Sequence, residues 1–342
     1  MEHARFTRRL WTLVGTVFVA VMPLGGCGEP SLMITVVSSK RALAETVLTR
    51  DSPFALDKIA IIDVSGIIRN SPETSLLGDG EHPVSLLLEQ LDKARLDRRV
   101  KAVILRINSP GGTVAASELM YDEITHFKKK TGKPVVAVMM DVGASGAYYL
   151  ACACDEIVAQ PSTLTGSIGV VMQTFDLTGT MKLVGVKGDA ITSGAHKDAG
   201  SPLRAMRPEE RDLFQAIVNE MHDRFVAVVA NGRAGLDERT VRTLADGRIY
   251  TADHALKLGL IDRVATLRDV IASTKKRVGS KKVRVVTYHR PLAYRPNYYA
   301  SFPPGRTGDI NLINLINLEL PRWPGTTTPQ FMYLWCPSTV GL

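Results

Sequence analysis

The chain has 342 residues, of which 45% are apolar and 22% charged, and its formal net charge is +8. This composition is typical of a globular protein with one large or two small domains, and it excludes a disordered, fibrous or multi-span membrane chain. The excess positive charge lies in two short strips, residues 1–9 and 275–284. A nucleic-acid-binding protein carries its basic excess across a folded face, so the charge distribution argues against a nucleic-acid partner.

The first 27 residues have the pattern of an export signal. Three arginines precede an uncharged stretch of 15 residues, Leu10–Leu24. As a helix this stretch spans about 22 Å, less than the ~30 Å of a bilayer core, which favours a cleaved signal over a permanent span. It ends in Leu24-Gly25-Gly26-Cys27, which resembles the lipobox of bacterial lipoproteins, whose cysteine is lipidated. We expect a membrane tether outside the cytoplasm, through acylated Cys27 or, alternatively, an uncleaved signal-anchor, with residues 28–57 as a linker.

From Lys58 onward, strand-like and helix-like segments alternate. Short apolar or β-branched runs bounded by turn residues predict strands at Ile59–Val64, Val100–Ile107, Pro134–Met140, Glu156–Ala159, Val170–Asp176 and Ala190–Thr192. Helical spacing of apolar residues predicts helices at Pro83–Asp97, Val114–Lys130 and Pro208–Asn231, and a further helix is expected to begin near Ser145. Repeated β–turn–α units predict an α/β fold with a largely parallel sheet. Beyond about Val264 the pattern weakens, and residues 265–342 are predicted to be a solvated basic segment and a tail of unassigned role.

Two glycine-containing segments at strand-to-helix junctions could serve acyl transfer. In Ser109-Pro110-Gly111-Gly112, consecutive glycines let backbone N–H groups approach a phosphate or an oxyanion, although a plain turn is the commoner explanation for such a segment. In Gly143-Ala144-Ser145-Gly146, the serine could project its hydroxyl from a tight turn. This segment resembles a nucleophile elbow, except that Ala147 replaces the second glycine, and Ser145 could instead cap the helix.

A third segment, Ser193-Gly194-Ala195-His196-Lys197-Asp198, offers two possible bases. His196 would fit a Ser-His-Asp arrangement with Ser145, whereas Lys197 would fit a mechanism in which an amine is the general base. The amine must then be uncharged, a state that burial against apolar neighbours favours. The alternative for Lys197 is a surface cation paired with Asp198.

Together with two further segments, these loops resemble the signal peptide peptidase A family of bacterial membrane-associated serine proteases. The resemblance extends from about Lys58 to Val264 and rests on the order of five motifs along the chain. They are Ile107-Asn108-Ser109-Pro110-Gly111-Gly112, Ala144-Ser145-Gly146, Leu164-Thr165-Gly166-Ser167-Ile168-Gly169-Val170, Ser193-Gly194-Ala195-His196-Lys197-Asp198 and Ala245-Asp246-Gly247-Arg248-Ile249-Tyr250. It implies a Clp protease/crotonase-like fold, a peptidase domain over residues 58–264, and a ring-like homo-oligomer.

The resemblance also implies a role for each residue of the candidate site. Ser145 would be the nucleophile and Lys197 the general base, and Ser167 would hydrogen-bond the lysine amine. The N–H groups of Gly112 and Gly146 would form the oxyanion hole. His196 would have no catalytic role. The implied substrates are extended apolar peptides, notably signal peptides left in the membrane, and no metal or organic cofactor is required.

The sequence departs from the family pattern at two positions, and two alternative functions remain open. Thr113 and Ala147 stand where many members of the family have glycine, and we expect them to affect specificity without removing the dyad. One alternative is a Ser-His-Asp hydrolase of the esterase or lipase type. The other is a catalytically inactive, membrane-tethered scaffold on the same fold.

Overall fold

The structure is a computed structural model that describes residues 42–71, 74–75, 78–79, 81–290 and 331–335. The predicted export signal, Cys27 and the first part of the predicted linker lie outside the described residues. Within these ranges, no helix is both long enough and apolar enough to cross a membrane.

The described residues form an α/β fold. The strands are β1 (Ala44–Arg50), β2 (Asp57–Ser65), β3 (Thr74–Ser75), β4 (Gly78–Asp79), β5 (Val100–Ser109), β6 (Gly111–Thr113), β7 (Val135–Ala144), β8 (Glu156–Ala159), β9 (Leu164–Gly166), β10 (Val171–Met172), β11 (Ile249–Thr251), β12 (Arg263–Val264), β13 (Val283–His289) and β14 (Phe331–Leu334). The helices are α1 (Pro83–Leu96), α2 (Val114–Thr131), α3 (Gly146–Ala151), α4 (Thr178–Leu183), α5 (Pro208–Gly232), α6 (Glu238–Leu244), α7 (Ala252–Lys257) and α8 (Leu267–Arg277).

A central sheet of nine described strands organises the fold, with the main order β1-β13-β2-β5-β7-β8-β12. The pairs from β13 through β12 are parallel, and β1 is antiparallel to β13. Successive residues of a strand point to opposite faces. Accordingly, Ala60 and Ile62 pack in the larger core cluster with residues of α1 and α2, whereas Ile59 and Ile61 pack in a second cluster with Leu267 and Val270 of α8. Burial on both faces explains the near-continuous apolar sequence of β2, β5 and β7.

The predicted α/β class with a largely parallel sheet is confirmed. The predicted strands at Ile59–Val64, Val100–Ile107, Pro134–Met140 and Glu156–Ala159 correspond to β2, β5, β7 and β8. The three helices predicted from periodicity are α1, α2 and α5, and a short helix follows Ser145 as expected.

Two predicted strands are wrong. Of Val170–Asp176, only the two residues of β10 are extended in a sheet, and Ala190–Thr192 forms no strand. Ile191 is fully exposed and Phe175 is largely exposed, so these β-branched and aromatic residues have no buried sheet face to pack against. Intrinsic strand preference alone had indicated strands here.

The region beyond Val264 is more ordered than the sequence pattern indicated. Helix α8 covers one face of the sheet, and β13 lies between β1 and β2. The central sheet therefore extends past both limits predicted for the peptidase domain. Part of the basic segment is paired, since Lys275 Nζ lies 2.7 Å from a carboxylate oxygen of Asp51.

An ion pair between neighbouring strands β2 and β5 gives a test of this core. Arg106 Nε lies 2.6 Å from Asp63 Oδ1, and the two side chains are only 5% and 3% exposed. Because removing one partner leaves a buried charge, Arg106→Ala should lower the free energy of unfolding by about 3–5 kcal/mol in urea titrations. The matched control is Arg242→Ala, whose pair with Asp223 is exposed and should cost at most about 1 kcal/mol. Equal losses in the two variants would contradict the assignment of this pair to the core.

Candidate active site

Ser145 occupies a strained turn where β7 ends and α3 begins. Its φ of 54° and ψ of −121° lie where L-residues are uncommon. The turn is fixed because Ser145 N–H donates to Gly166 O at 2.7 Å, and Tyr149 N–H donates to Ser145 O at 2.9 Å. Ser145 is the N-cap residue of α3, but its side chain makes no capping hydrogen bond.

The Ser145 hydroxyl is buried, and Oγ has no hydrogen-bond partner among the described residues. An unpaired buried hydroxyl costs free energy, as does the strained backbone that presents it. Both costs are concentrated in one residue. Such a combination is typical of a reactive group held ready for a ligand.

The glycines of β6 pack directly against this turn. Gly111 has a φ of +100°, and a Cβ added there would lie 2.7 Å from Gly146 N and 3.1 Å from Ser145 Cβ. A Cβ added at Gly112 would lie 1.8 Å from Ile68 O. A side chain at either position would therefore push the two segments apart. Sequence analysis had left a plain turn open here, but Gly111–Thr113 is a strand.

The two predicted oxyanion donors lie close together. A Cβ added at Gly146 would lie 3.3 Å from Gly112 N, which shows how near the two backbones approach. Gly146 is the first residue of α3, so its N–H belongs to the free amides of a helix start. The arrangement brings Ser145, Gly112 and Gly146 together as the sequence predicted.

Ser167 lies next to the Ser145 turn, directly after the end of strand β9. It follows Gly166, whose carbonyl accepts from Ser145 N–H, and it has a φ of 48°. Its own N–H donates to Arg248 O at 2.8 Å. Strand β9 also pairs with β11, so two of the five motifs meet beside the serine.

Within one chain, neither Lys197 nor His196 forms a hydrogen bond with Ser145. Both side chains are exposed, and Ser145 Oγ has no described partner. The alternative of a Lys197–Asp198 surface pair is also not seen, because Asp198 binds the Arg204 guanidinium at 2.6 and 2.8 Å. These hydrogen bonds lower the pKa of Asp198.

A charged network attaches the Lys197 segment to the start of α5. Arg204 also donates to both carboxylate oxygens of Glu210, at 2.9 and 2.6 Å. Glu210 is solvent-inaccessible, and its hydrogen bond to Arg204, followed by that to Arg207, lowers the pKa of its carboxyl group. The network fixes the backbone next to Lys197 while leaving its amine unpaired within the described residues.

The sequence analysis missed an aromatic pocket beside the serine. Tyr149 of α3 and Phe225 of α5 enclose the ring of Tyr333, which belongs to β14. Ring centroids are 5.3 Å apart for Tyr149 and Tyr333, and 4.7 Å apart for Phe225 and Tyr333. The apolar run Phe331–Leu334 was the available signal, but its pairing partners in β10 and β6 are about 160 and about 220 residues away.

An unpaired buried serine on a strained turn, beside two close glycine amides, is the arrangement of a serine hydrolase. Comparison with known proteins defines the kind of hydrolase, because residues 127–281 match Peptidase family S49. The chain is 36% identical over 231 residues to a protein of Enterococcus faecium provisionally named signal peptide peptidase SppA, covering 68% of this chain and 67% of that protein. It is 35% identical over 214 residues to Protease 4 of Salmonella typhi, covering 63% of this chain and 34% of that protein.

This protein is therefore a serine-type peptidase with a Clp protease/crotonase-like fold. It belongs to peptidase family S49, the signal peptide peptidase A family, as the five motifs indicated. A third relative, named Serine protease SPPA, chloroplastic, of Arabidopsis thaliana, is 35% identical over 251 residues, covering 70% of this chain and 36% of that protein. Family membership favours a peptidase over the esterase or lipase alternative.

The close packing at Gly112 predicts a specific sensitivity. Gly112→Ala should displace β6 from the Ser145 turn, because the new methyl group would overlap Ile68 O. Overpacking of this kind typically costs about 1–3 kcal/mol, and displacement of an oxyanion donor should lower kcat about 100-fold or more. Thermal unfolding and peptide hydrolysis would measure the two effects. Gly179→Ala is the matched control, since nothing lies within 4 Å of its added Cβ. Comparable losses in both variants would contradict the role given to β6.

Proposed function

We propose that this protein is an endopeptidase in which Ser145 attacks a peptide carbonyl and Lys197 of a second copy is the general base. The observation that carries the proposal is the buried, unpaired Ser145 hydroxyl on its strained turn beside Gly112 and Gly146. Neutral Lys197 would take the hydroxyl proton as Ser145 Oγ bonds to the carbonyl carbon. The two glycine N–H groups would hold the resulting oxyanion.

The second half of the reaction uses the same groups. Protonated Lys197 would give its proton to the leaving amine as the peptide C–N bond breaks, which leaves an ester on Ser145. Water, deprotonated by Lys197, would then attack the ester and release the carboxylate. Ser167, adjacent to the turn, is proposed to hydrogen-bond and orient the amine during both steps.

The surroundings of Lys197 favour a second copy as its binding partner. The segment that carries it also exposes several large apolar side chains: Phe175, Leu177, Leu183, Val184, Val186, Ile191 and Leu203. Clusters of exposed apolar residues are typical of protein–protein contacts. A second copy packed here would bury them, and removing the amine from water would favour its uncharged form. If each chain gives Lys197 to the next, the contact is heterologous and closes into a ring.

The proposed substrates are extended apolar peptides, notably signal peptides remaining in a membrane after export. An extended peptide can pair as a strand with β6, in the position that β14 occupies in this structure, which places its carbonyls beside the glycine amides. The membrane tether through Cys27, on the outer side of the cytoplasmic membrane, is proposed because it would hold the enzyme where such peptides accumulate.

Single substitutions test the two catalytic groups. Ser145→Ala and Lys197→Ala should each lower hydrolysis of a signal-peptide-like substrate by about 10³-fold or more, because nucleophile and base act as a unit. His196→Ala is the matched control, since this neighbouring side chain is equally exposed, and it should retain activity near the wild-type level. Loss of activity in His196→Ala with retention in Lys197→Ala would overturn the amine mechanism.

Mixing two inactive variants tests whether the site is shared between copies. In mixed oligomers, the intact Ser145 of the Lys197→Ala chain can meet the intact Lys197 of the Ser145→Ala chain. Random pairing should then restore about a quarter of the wild-type activity. The double variant Ser145→Ala/Lys197→Ala, mixed with Ser145→Ala, supplies no serine and should stay inactive. Absence of recovery in oligomers shown to exchange subunits would place both catalytic groups in one chain.

A further inference from the structure

The basic run at the end of α8 does not lie alone in the folded chain. Lys133, which follows α2, donates from Nζ to Asp97 O at 2.9 Å, so the end of α2 contacts the turn before β5. Asp57 Oδ1 lies 3.7 Å from Lys101 Nζ, and Asp57 Oδ2 accepts a hydrogen bond from Ser280 Oγ at 2.7 Å. These contacts bring three basic segments of the sequence to one surface: residues 98–101, 128–133 and 275–284.

This surface lies at the end of the central sheet where its parallel strands begin. Strands β5, β7 and β13 each start within, or no more than two residues after, one of the three segments, and the turn between β1 and β2 lies at the same end. Ser145 lies at the opposite end, because it follows the ten residues of β7, which span about 33 Å. We call the surface the basic end of the sheet, and it consists of residues 50–57, 96–101, 128–133 and 275–284.

The basic end has more cations than its carboxylates can pair. Four of its carboxylates each lie 2.7–3.7 Å from a lysine Nζ, namely those of Asp51, Asp57, Asp97 and Asp155. Further cations of this surface are exposed and have no ion-pair partner among the described residues; they include Arg98, Arg99, Lys129, Lys130, Lys281 and Lys282. A cluster of uncompensated positive charge attracts an anionic partner.

Large apolar side chains protrude from the same surface. Phe54 and Leu56, in the turn between β1 and β2, are 86% and 59% exposed, and Leu96, the last residue of α1, is 72% exposed. The turn is held in place, because Ala55 is buried and its carbonyl accepts a hydrogen bond from the Arg284 guanidinium. A nucleic-acid duplex would pair with the cations and leave these apolar side chains in water. A bilayer would take up both groups, since its headgroups carry phosphate and its interior is apolar.

We propose that the basic end of the sheet binds the surface of a bilayer that contains anionic phospholipids. Its exposed lysines and arginines contact lipid phosphates, and Phe54, Leu56 and Leu96 enter the boundary between headgroups and acyl chains. This contact is separate from the proposed tether at Cys27, and it requires no catalytic role of any residue.

The place of this surface in the fold is compatible with both the tether and the candidate site. Lipid bound at the basic end leaves Ser145 uncovered, because the serine lies at the other end of the sheet. Strand β1 begins at the Ser145 end, where Ala44 pairs with His289. The 14 residues 28–41 can extend at most about 50 Å, more than the length of β7, so a tether at Cys27 is long enough to permit the contact.

Tryptophan fluorescence in vesicles tests the proposal with the full chain. The chain is reconstituted into phosphatidylcholine vesicles with brominated acyl chains, with or without phosphatidylglycerol, and the emission of the wild-type chain is subtracted. Phe54→Trp should be quenched by bromine when phosphatidylglycerol is present, and high salt should reverse this quenching because screening weakens the attraction. Leu213→Trp is the matched control, since Leu213 is exposed on α5, outside the basic end, and should not respond to the anionic lipid.

Removal of charge from two of the basic segments tests whether both face the lipid. A lysine near an anionic membrane contributes about a fivefold gain in affinity. In the Phe54→Trp chain, Lys129→Gln/Lys130→Gln and Lys281→Gln/Lys282→Gln should therefore each lower the ratio of quenched to unquenched emission about 25-fold.

The matched control for charge is Arg211→Gln/Arg242→Gln, which removes two exposed cations from α5 and α6 and should leave the ratio within about twofold. Equal losses in the control and the lysine variants would overturn the proposal. Equal quenching of Phe54→Trp and Leu213→Trp, or quenching that does not depend on phosphatidylglycerol, would also overturn it. A chain that binds duplex DNA through the same lysines, with no quenching by lipid, would assign the surface to nucleic acid instead.

Discussion

The approach of two backbones, at Gly111–Gly112 and at Ser145–Gly146, is the constraint on which the rest of the site depends. The parallel pairing of β5 with β7 brings both segments to the same end of the sheet, where Ser109 pairs with Gly143. At that end there is no room for side chains on the glycines. The strained backbone of Ser145 is the consequence, because the chain must reverse sharply from β7 into α3 to put a hydroxyl and an amide beside β6. The buried strands around this junction stabilise the conformation.

The parts of the fold that local sequence could predict are those with strong periodicity. Such parts are the strands β2, β5 and β7 and the helices α1, α2 and α5. Their buried residues appear in the sequence as continuous apolar runs in the strands and as apolar residues at helical spacing in the helices. The strands predicted near Asp176 and Ile191 fail because β-branched and aromatic residues give the same local pattern whether they are buried in a sheet or, as Phe175 and Ile191 are, exposed. Strand β13 was missed since its place between β1 and β2 depends on partners more than 200 residues away.

The candidate site, like the fold, could be predicted only where it depends on a local sequence pattern. Ser145, Gly112 and Gly146 belong to short motifs at strand ends, and parallel topology brings such ends together. The Tyr333 pocket depends on a pairing across the length of the chain, which no local pattern encodes. On the proposed function, Lys197 acts in the site of a second copy, and sequence spacing could not distinguish such a base from a surface cation. In the structure, Asp198 pairs with Arg204 instead of Lys197, and the Lys197 side chain is exposed.

The proposed division of the catalytic pair between two copies has a consequence for the control of activity. On that proposal, a single chain carries the nucleophile without its base, so assembly would precede catalysis. A peptidase of this kind would remain inactive until it reached its assembled form.

A crystal structure of the full chain with an apolar peptide boronate tests the central claim most directly. The account predicts a tetrahedral boron bonded to Ser145 Oγ, with one boronate oxygen about 2.7–3.1 Å from the N atoms of Gly112 and Gly146, and Nζ of Lys197 from an adjacent copy in contact with Ser145 Oγ. A boronate bound to another residue, an oxygen directed away from both glycines, or His196 in the place of the amine would contradict it.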